Sequence, residues 1–236
     1  MDAVYDQLSG YGPDHDYWVR LVGDVEAGDL CDLGCGTGML SVLFARGGCR
    51  VTGVDPDPGM LAVARARPGH ELVTWVDGYA GDVATGSADM LTMTSHVSQV
   101  FLTDGAWREV LIEIRRVLRP GGVLTFDMRN PAARGWERWN PAASRREVVT
   151  PEGPAAVWHE VEEVRDGLVR FATTLEYATS GEREVDVDTL RFRDEPTLRG
   201  SLAEAGFTVT ELHGDWDGSP ATPSSRELIV TATRIG

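Results

Sequence analysis

Apolar residues at positions 107, 110, 111, 114, 117 and 118 recur with the period of an α-helix, and "RPGG" stops the run at residue 119. A similar stripe at Tyr17, Trp18, Leu21, Val22 and Val25 predicts a helix over 14–26, started by Asp14. Between these lie short apolar runs that are too brief for helices. "DLCDLG", "RVTGVD", "ELVTWVD", "ADMLTMTS" and, beyond "RPGG", "VLTFDM" read as five buried strands. The stretches "TGMLSVLFARGG" and "PDPGMLAVARARPG" read as helices bounded by proline and glycine. Strand alternating with helix over about a hundred residues predicts parallel pairing through helical crossovers, a doubly wound α/β sheet.

The pattern changes after "DMRNP". Residues 131–144 predict an irregular or partly helical connector. Residues 145–193 hold Val-, Thr- and aromatic-rich runs, and Asp166-Gly167 between two of them is a hairpin signal. This region predicts an antiparallel β insertion after the fifth strand. "EPTLRGSLAEAGF" returns to helix, and "TVTELHG" and "RELIVTA" supply two closing strands, seven in the main sheet. The expected organisation is one domain from 1–130 and 194–236, interrupted by an insertion at 144–193 that serves as an acceptor lid or a dimer contact.

Composition narrows the chemistry. The chain has 236 residues, 42% of them hydrophobic and 25% charged, enough for a substantial core. It has no membrane-length apolar run, and its acidic first residues lack a signal-peptide pattern, so no membrane partner and a cytoplasmic location are expected. A formal charge of −15 disfavours nucleic acid. All 22 basic residues are arginine, which excludes a Walker-A lysine, a pyridoxal Schiff base and a lysine nucleophile. Cys31, Cys35 and Cys49 show no metal-ligand spacing and are expected to be reduced thiols, with no metal.

"DLGCGTG" places Gly34, Gly36 and Gly38 between a strand and a helix, where bare backbone lets a ligand approach the helix start. A dinucleotide fingerprint needs its third glycine at residue 39, which is Met39. Asp55 ends the second strand, where a carboxylate accepts hydrogen bonds from both hydroxyls of a ribose. A nucleoside without an obligatory pyrophosphate is favoured. The alternatives are an NAD-dependent oxidoreductase, an aminopropyltransferase, or a binding module without chemistry.

These residues, with "VTGVDPDPGML", "WVDG", "ADMLTM" and "EIRRVLRPGGVLTFDM", resemble the class I S-adenosylmethionine-dependent methyltransferases. The insertion is similar to that of small-molecule members such as glycine and amino-sugar N-methyltransferases. The resemblance implies a Rossmann-like sheet, S-adenosylmethionine as cofactor, a small-molecule acceptor methylated on N or O with N favoured, and a monomer or homodimer. Specialised metabolism is a natural setting for such an enzyme. Under it, Asp32 meets the methionine amino group, and Gly34, Cys35, Gly36 and Gly38 border the amino acid and ribose. Asp55 and Pro56 flank the ribose, and Met60 lies on the adenine. Asp77, preferred to Asp82, sits with Gly78 near the adenine amino group. Thr94, Ser95 and His96 lie below the sulfonium.

Methyl transfer from a sulfonium needs alignment and exclusion of water, and a base only when the acceptor arrives protonated. Tyr5, Tyr11, Tyr17 and Trp18 are expected to close over the cofactor. His96, Gln99, Tyr11 and His213 are the catalytic candidates, with His15 and His159 ranked below them and His70 placed at a strand start. Trp18, Gln99, Arg129, Asn130, Trp136 and Trp139 are the expected acceptor pocket, with Trp158 as a further possible wall.

Overall fold

A computed structural model describes residues 4–8 and 10–236. Ser9, inside the expected closing segment, and residues 1–3 lie outside the described residues. The chain opens with α1 (Tyr5–Leu8) and α2 (Pro13–Val25), then alternates β1 (Asp29–Leu33), α3 (Met39–Arg46), β2 (Arg50–Asp55), α4 (Pro58–Ala66), β3 (Val73–Asp77) and β4 (Ala88–Met93). After α5 (Asp104–Val117) and β5 (Leu118–Arg129) comes the short helix α6 (Pro141–Ser144). Four strands follow: β6 (Arg146–Thr150), β7 (Gly153–Arg165), β8 (Leu168–Tyr177) and β9 (Arg183–Arg191). The chain then returns through α7 (Glu195–Glu204), β10 (Phe207–His213) and β11 (Glu227–Arg234).

The main sheet has seven strands in the order β10-β11-β5-β4-β1-β2-β3. β1 pairs in parallel with both β2 and β4, so the winding direction reverses on either side of it. A crevice opens at the carboxyl ends of strands at such a reversal. β11 enters antiparallel between β5 and β10, placing Glu227 opposite Arg129 and Ile229 opposite Asp127.

Helices cover both faces because each carries one apolar stripe. Trp107, Leu111, Ile114 and Val117 of α5 are buried with Leu198, Leu202 and Phe207 in one layer. Trp18, Val22, Leu40 and Phe44 pack with Leu30, Val51 and Ile229 in the other. The starts of α4, α5 and α7 carry side-chain caps: Asp57 accepts from Gly59 N, Thr103 Oγ1 from Ala106 N, and Asp194 from Thr197 N.

β6 to β9 form a separate four-stranded antiparallel sheet. Asp166 and Gly167 both take positive φ, 52° and 76°, between the paired residues Arg165 and Leu168, as a tight two-residue hairpin requires. Three differences from the sequence expectations stand out. β6 is a fourth strand that its short "REVVT" pattern did not single out. β5 begins at Leu118, since "RPGG" lies inside the strand, with Gly121 at φ 79° and a register shift in the β4–β5 ladder. His70 lies in a 3₁₀ turn ahead of β3 rather than at its start.

Candidate active site

The turn after β1 is wired to its neighbours. The Gly34 and Cys35 amides donate to the Val54 carbonyl at 2.8 and 3.1 Å. The Gly36 amide donates to Asp55 Oδ2 at 2.8 Å, and Asp55 Oδ1 accepts from Asp57 N at 2.9 Å. Gly34 has φ 75°, and a Cβ there would lie 2.5 Å from a Val97 methyl. At Gly36, φ 52°, a Cβ would meet nothing within 4 Å, because the space beside it is cavity. Asp32 stands behind the turn, 1% exposed, accepting from Ser41 Oγ at 2.5 Å and Thr92 Oγ1 at 2.9 Å. Burial pushes its carboxyl up to about 6 against those two hydrogen bonds, with Asp55 adding to the rise.

A cavity of about 260 Å³ lies over the turn. Its floor is Gly34, Cys35, Gly36 and Thr37, its far wall is Thr94, Ser95 and His96 with Asp127 and Arg129, and Tyr5, Asp6, His15 and Trp216 close other sides. Asp6 is tied down by Thr37 Oγ1, which donates to it at 2.6 Å, and by a bond from Arg67. Tyr5, next to Asp6, lines the cavity. Tyr11 does not line it; its ring is exposed and its hydroxyl donates to Asp16 at 2.6 Å.

His96 follows β4 in an unusual backbone state, with Ser95 at φ 56° and His96 at φ 67°. Non-glycine residues rarely adopt this left-handed conformation, and it persists only where surrounding contacts hold it. Here the His96 amide donates to Asp127 Oδ2 at 3.0 Å, and its Nε2 lies 3.2 Å from Asp127 Oδ2 and 3.0 Å from Glu227 Oε2. Asp127 is fully buried, which pushes its carboxyl up to about 6; His96 opposes that rise and Glu227 adds to it. The three donor atoms lie within 4.8 Å of one another, a set that a divalent cation is able to share. Asp127 and Glu227 were missed in the sequence. The available signals were a lone carboxylate within the apolar run "VLTFDM" and one leading "ELIVTA".

Next to this cluster, burial lowers the Arg129 guanidinium from its usual range. Its Nη1 donates to Gln99 Oε1 at 3.0 Å, and its carbon sits 5.2 Å from the Trp139 ring centroid. Gln99 is fully buried and also donates to the Arg191 carbonyl at 3.2 Å, joining β9 of the second sheet to the site. Trp136 and Trp139 pack on Phe192 and Phe171 behind Arg129 and do not line the cavity.

Several expected site residues lie elsewhere. Trp18 is fully buried in the core against Tyr17 and Trp216, because the apolar stripe of α2 turns inward. Asn130 spends its amide on the Thr222 and Ser225 carbonyls and its oxygen on Ala132 N, so it pins a loop. His213 bonds the Tyr17 hydroxyl at 2.8 Å and lines a separate cavity with it. His159 bonds Thr173 in the second sheet, and Trp158 lies there beneath Arg145. Asp77 pairs in register with Asp55 and is exposed at the end of β3, whereas Asp82 accepts from Tyr79 N. Gly78 N donates to the Asp55 carbonyl, and Pro56 and Met60 follow Asp55 toward α4 outside the cavity. Among the described residues no helix is long and apolar enough to cross a membrane.

A family model described as "Methyltransferase domain" matches residues 30–122. A malonyl-[acyl-carrier protein] O-methyltransferase of Serratia marcescens is 39% identical over 196 residues, 80% of this chain and 67% of that protein. The chain belongs to the class I S-adenosylmethionine-dependent methyltransferases. It is also similar, at 28% identity over 231 residues, to the cypemycin N-terminal methyltransferase of a Streptomyces species, covering 92% of this chain and 87% of that one. Its fold matches the solved structure of an amino pentose methyltransferase from Micromonospora echinaspora, with TM-score 0.71, 22% identity and coverage of 98% and 95%.

Proposed function

We propose that the protein methylates the nitrogen of a small-molecule amine, with S-adenosylmethionine as donor. The observation that carries this reading is one cavity whose floor is the bare glycine turn and whose wall is His96 backed by two carboxylates. The donor supplies an electrophilic methyl group on a sulfonium. The open space at Gly36, which a side chain would fill, fits its methionyl arm.

In this reading Gly34, Cys35 and Gly36 border that arm, whereas Gly38, expected beside it, does not line the cavity and packs against Trp75 and Ala64. Asp55 takes the ribose hydroxyls, and Pro56, Met60, Asp77 and Gly78 border the adenine along the open crevice. Asp32 acts from behind by holding α3 to β1 and β4, since both its oxygens are engaged within the protein. Thr94, Ser95 and His96 face the reacting centre, and Tyr5 excludes water above it. The β6–β9 sheet roofs the acceptor side through the link from Arg191 to Gln99 and Arg129.

Nitrogen is favoured over oxygen for two reasons. An ammonium must lose a proton before its lone pair can attack, and His96 stands at the wall to receive it. One relative that this chain matches along most of its length, the cypemycin N-terminal methyltransferase, is named for methylating an amino terminus. A product with one added methyl, detected by mass spectrometry after incubation with labelled donor and a panel of amines, tests the proposal. Absence of donor binding by calorimetry would remove it.

A further inference from the structure

We propose that Asp127 and Glu227 hold the His96 imidazole in its Nε2–H tautomer, leaving Nδ1 as the atom that takes the acceptor's proton. The inference rests on the amine-methylating reading of the cavity and assigns positioning roles to two residues within it.

The geometry is asymmetric about the ring. Nε2 is within hydrogen-bond distance of two carboxylate oxygens, Asp127 Oδ2 at 3.2 Å and Glu227 Oε2 at 3.0 Å. An ionised carboxylate only accepts hydrogen bonds, so the nitrogen that faces two of them carries the hydrogen. A lone pair in that place would face two anions. Nδ1 has no bonding partner among the described residues, and in the neutral ring it holds the lone pair.

The cradle is built from three strands. His96 follows β4, Asp127 lies in β5 and Glu227 begins β11; the pairing of Ile229 with Asp127 and of Glu227 with Arg129 puts both carboxylates on one sheet face. The His96 amide donates to the same Asp127 oxygen that Nε2 approaches, so one carboxylate fixes backbone and ring together. Asp127 has Glu227 and Arg129 as charged neighbours besides the ring, so two carboxylates and one guanidinium stand together there. That charge balance favours a cationic ammonium acceptor beside the ring.

The balance of the step is simple. The acceptor's N–H bond breaks and its proton goes to Nδ1, which makes His96 an imidazolium. The freed nitrogen lone pair forms the new N–C bond, and the S–C bonding pair stays on sulfur as a thioether. The imidazolium returns its proton to water after product leaves.

Long-range ¹H–¹⁵N spectra of the histidine rings, recorded on the full chain at pH 8 and assigned by the loss of one ring in His96→Gln, read the tautomer without any acceptor. The Nε2–H pattern is expected for His96, with Nδ1–H gaining population in Glu227→Gln. With a methylated amine in hand, Glu227→Gln and Asp127→Asn are expected to lower kcat about tenfold to hundredfold. The dissociation constant for S-adenosylhomocysteine should stay within about twofold, and Glu227→Asp should recover part of kcat. Glu227 is partly exposed where Asp127 is not, so its variants remain informative if the buried Asp127→Asn fails to fold. An Nδ1–H pattern in the unmodified protein overturns the proposal, as does unchanged kcat in Glu227→Gln. Activity lost to EDTA and restored by Mg²⁺ or Mn²⁺ overturns it too, making the cluster a metal site. Failure of every amine to react strikes the functional reading instead, because the ring spectra are independent of it.

Discussion

The Gly36 amide donates to the Asp55 carboxylate at 2.8 Å, so the turn after β1 and the end of β2 form one hydrogen-bonded unit. With Asp57 N on its other oxygen, Asp55 is oriented before any ligand arrives. Asp55→Ala is expected to weaken S-adenosylhomocysteine binding by about 1–3 kcal/mol, the scale of a lost charged hydrogen bond. Isothermal titration calorimetry reads this directly. Unchanged affinity would show that the carboxylate serves only the turn.

Gly38 starts α3 at φ 72°, and a Cβ there would run into the Trp75 ring and lie 3.0 Å from Ala64 Cβ. Gly38→Ala should destabilise the fold by roughly 1–2 kcal/mol for the left-handed backbone and about 1–3 kcal/mol for overpacking. A double-mutant cycle with Trp75→Leu separates the two, since the shorter side chain relieves the overlap and leaves the backbone strain. Coupling of at least about 1 kcal/mol in urea unfolding is expected; simple additivity would mean the ring yields without penalty.

Asp32 and Asp127 have carboxyls raised to about 6 by burial. At these two sites the folded protein therefore holds more protons than the unfolded chain between about pH 4 and 6, and they make stability rise as pH falls through that window. The lowered carboxyls, among them Asp29, Asp89 and Asp194, act oppositely and at lower pH, because the stability they contribute is lost only as they protonate. Thermal melting at closely spaced pH values, compared with Asp32→Asn, checks this. The variant should show a flatter dependence between pH 4 and 6, and an unaltered slope would disprove the assignment for Asp32.

Burial pushes the Cys31 thiol up to about 12, and it raises that of Cys35 with help from the Asp32 and Asp55 charges. Thiolate is the reactive form, so alkylation should be slow although Cys35 lines the cavity. Iodoacetamide at pH 8, followed by mass spectrometry, is expected to leave Cys35 mostly unmodified over the time in which a free thiol reacts fully. Rapid labelling there would contradict the burial-driven shift.

The parts of this molecule that could be read in advance are those whose meaning is local. The period of α5, the glycine turn and Asp55 at its strand end each depend on neighbours within a few residues. So does the Asp166-Gly167 hairpin. Asp127 and Glu227 gain their meaning from the register of β11 on β5, a pairing between distant segments that no short window contains. Side-chain direction was equally opaque. Asn130 and His213 occupy plausible positions at strand ends, yet one is captured by loop carbonyls and the other by Tyr17. Trp18 looked available for a pocket until the angle of α2 turned it into the core.

His96 and Glu227 touch across 131 residues of chain. At ~5–20 residues per second of synthesis, roughly 7–26 s pass between the ribosome's addition of the first and of the second. During that interval a nascent chain carries its nucleoside turn and its histidine with a gap where β11 belongs. Work by this protein must wait for that strand to slide between two others already made.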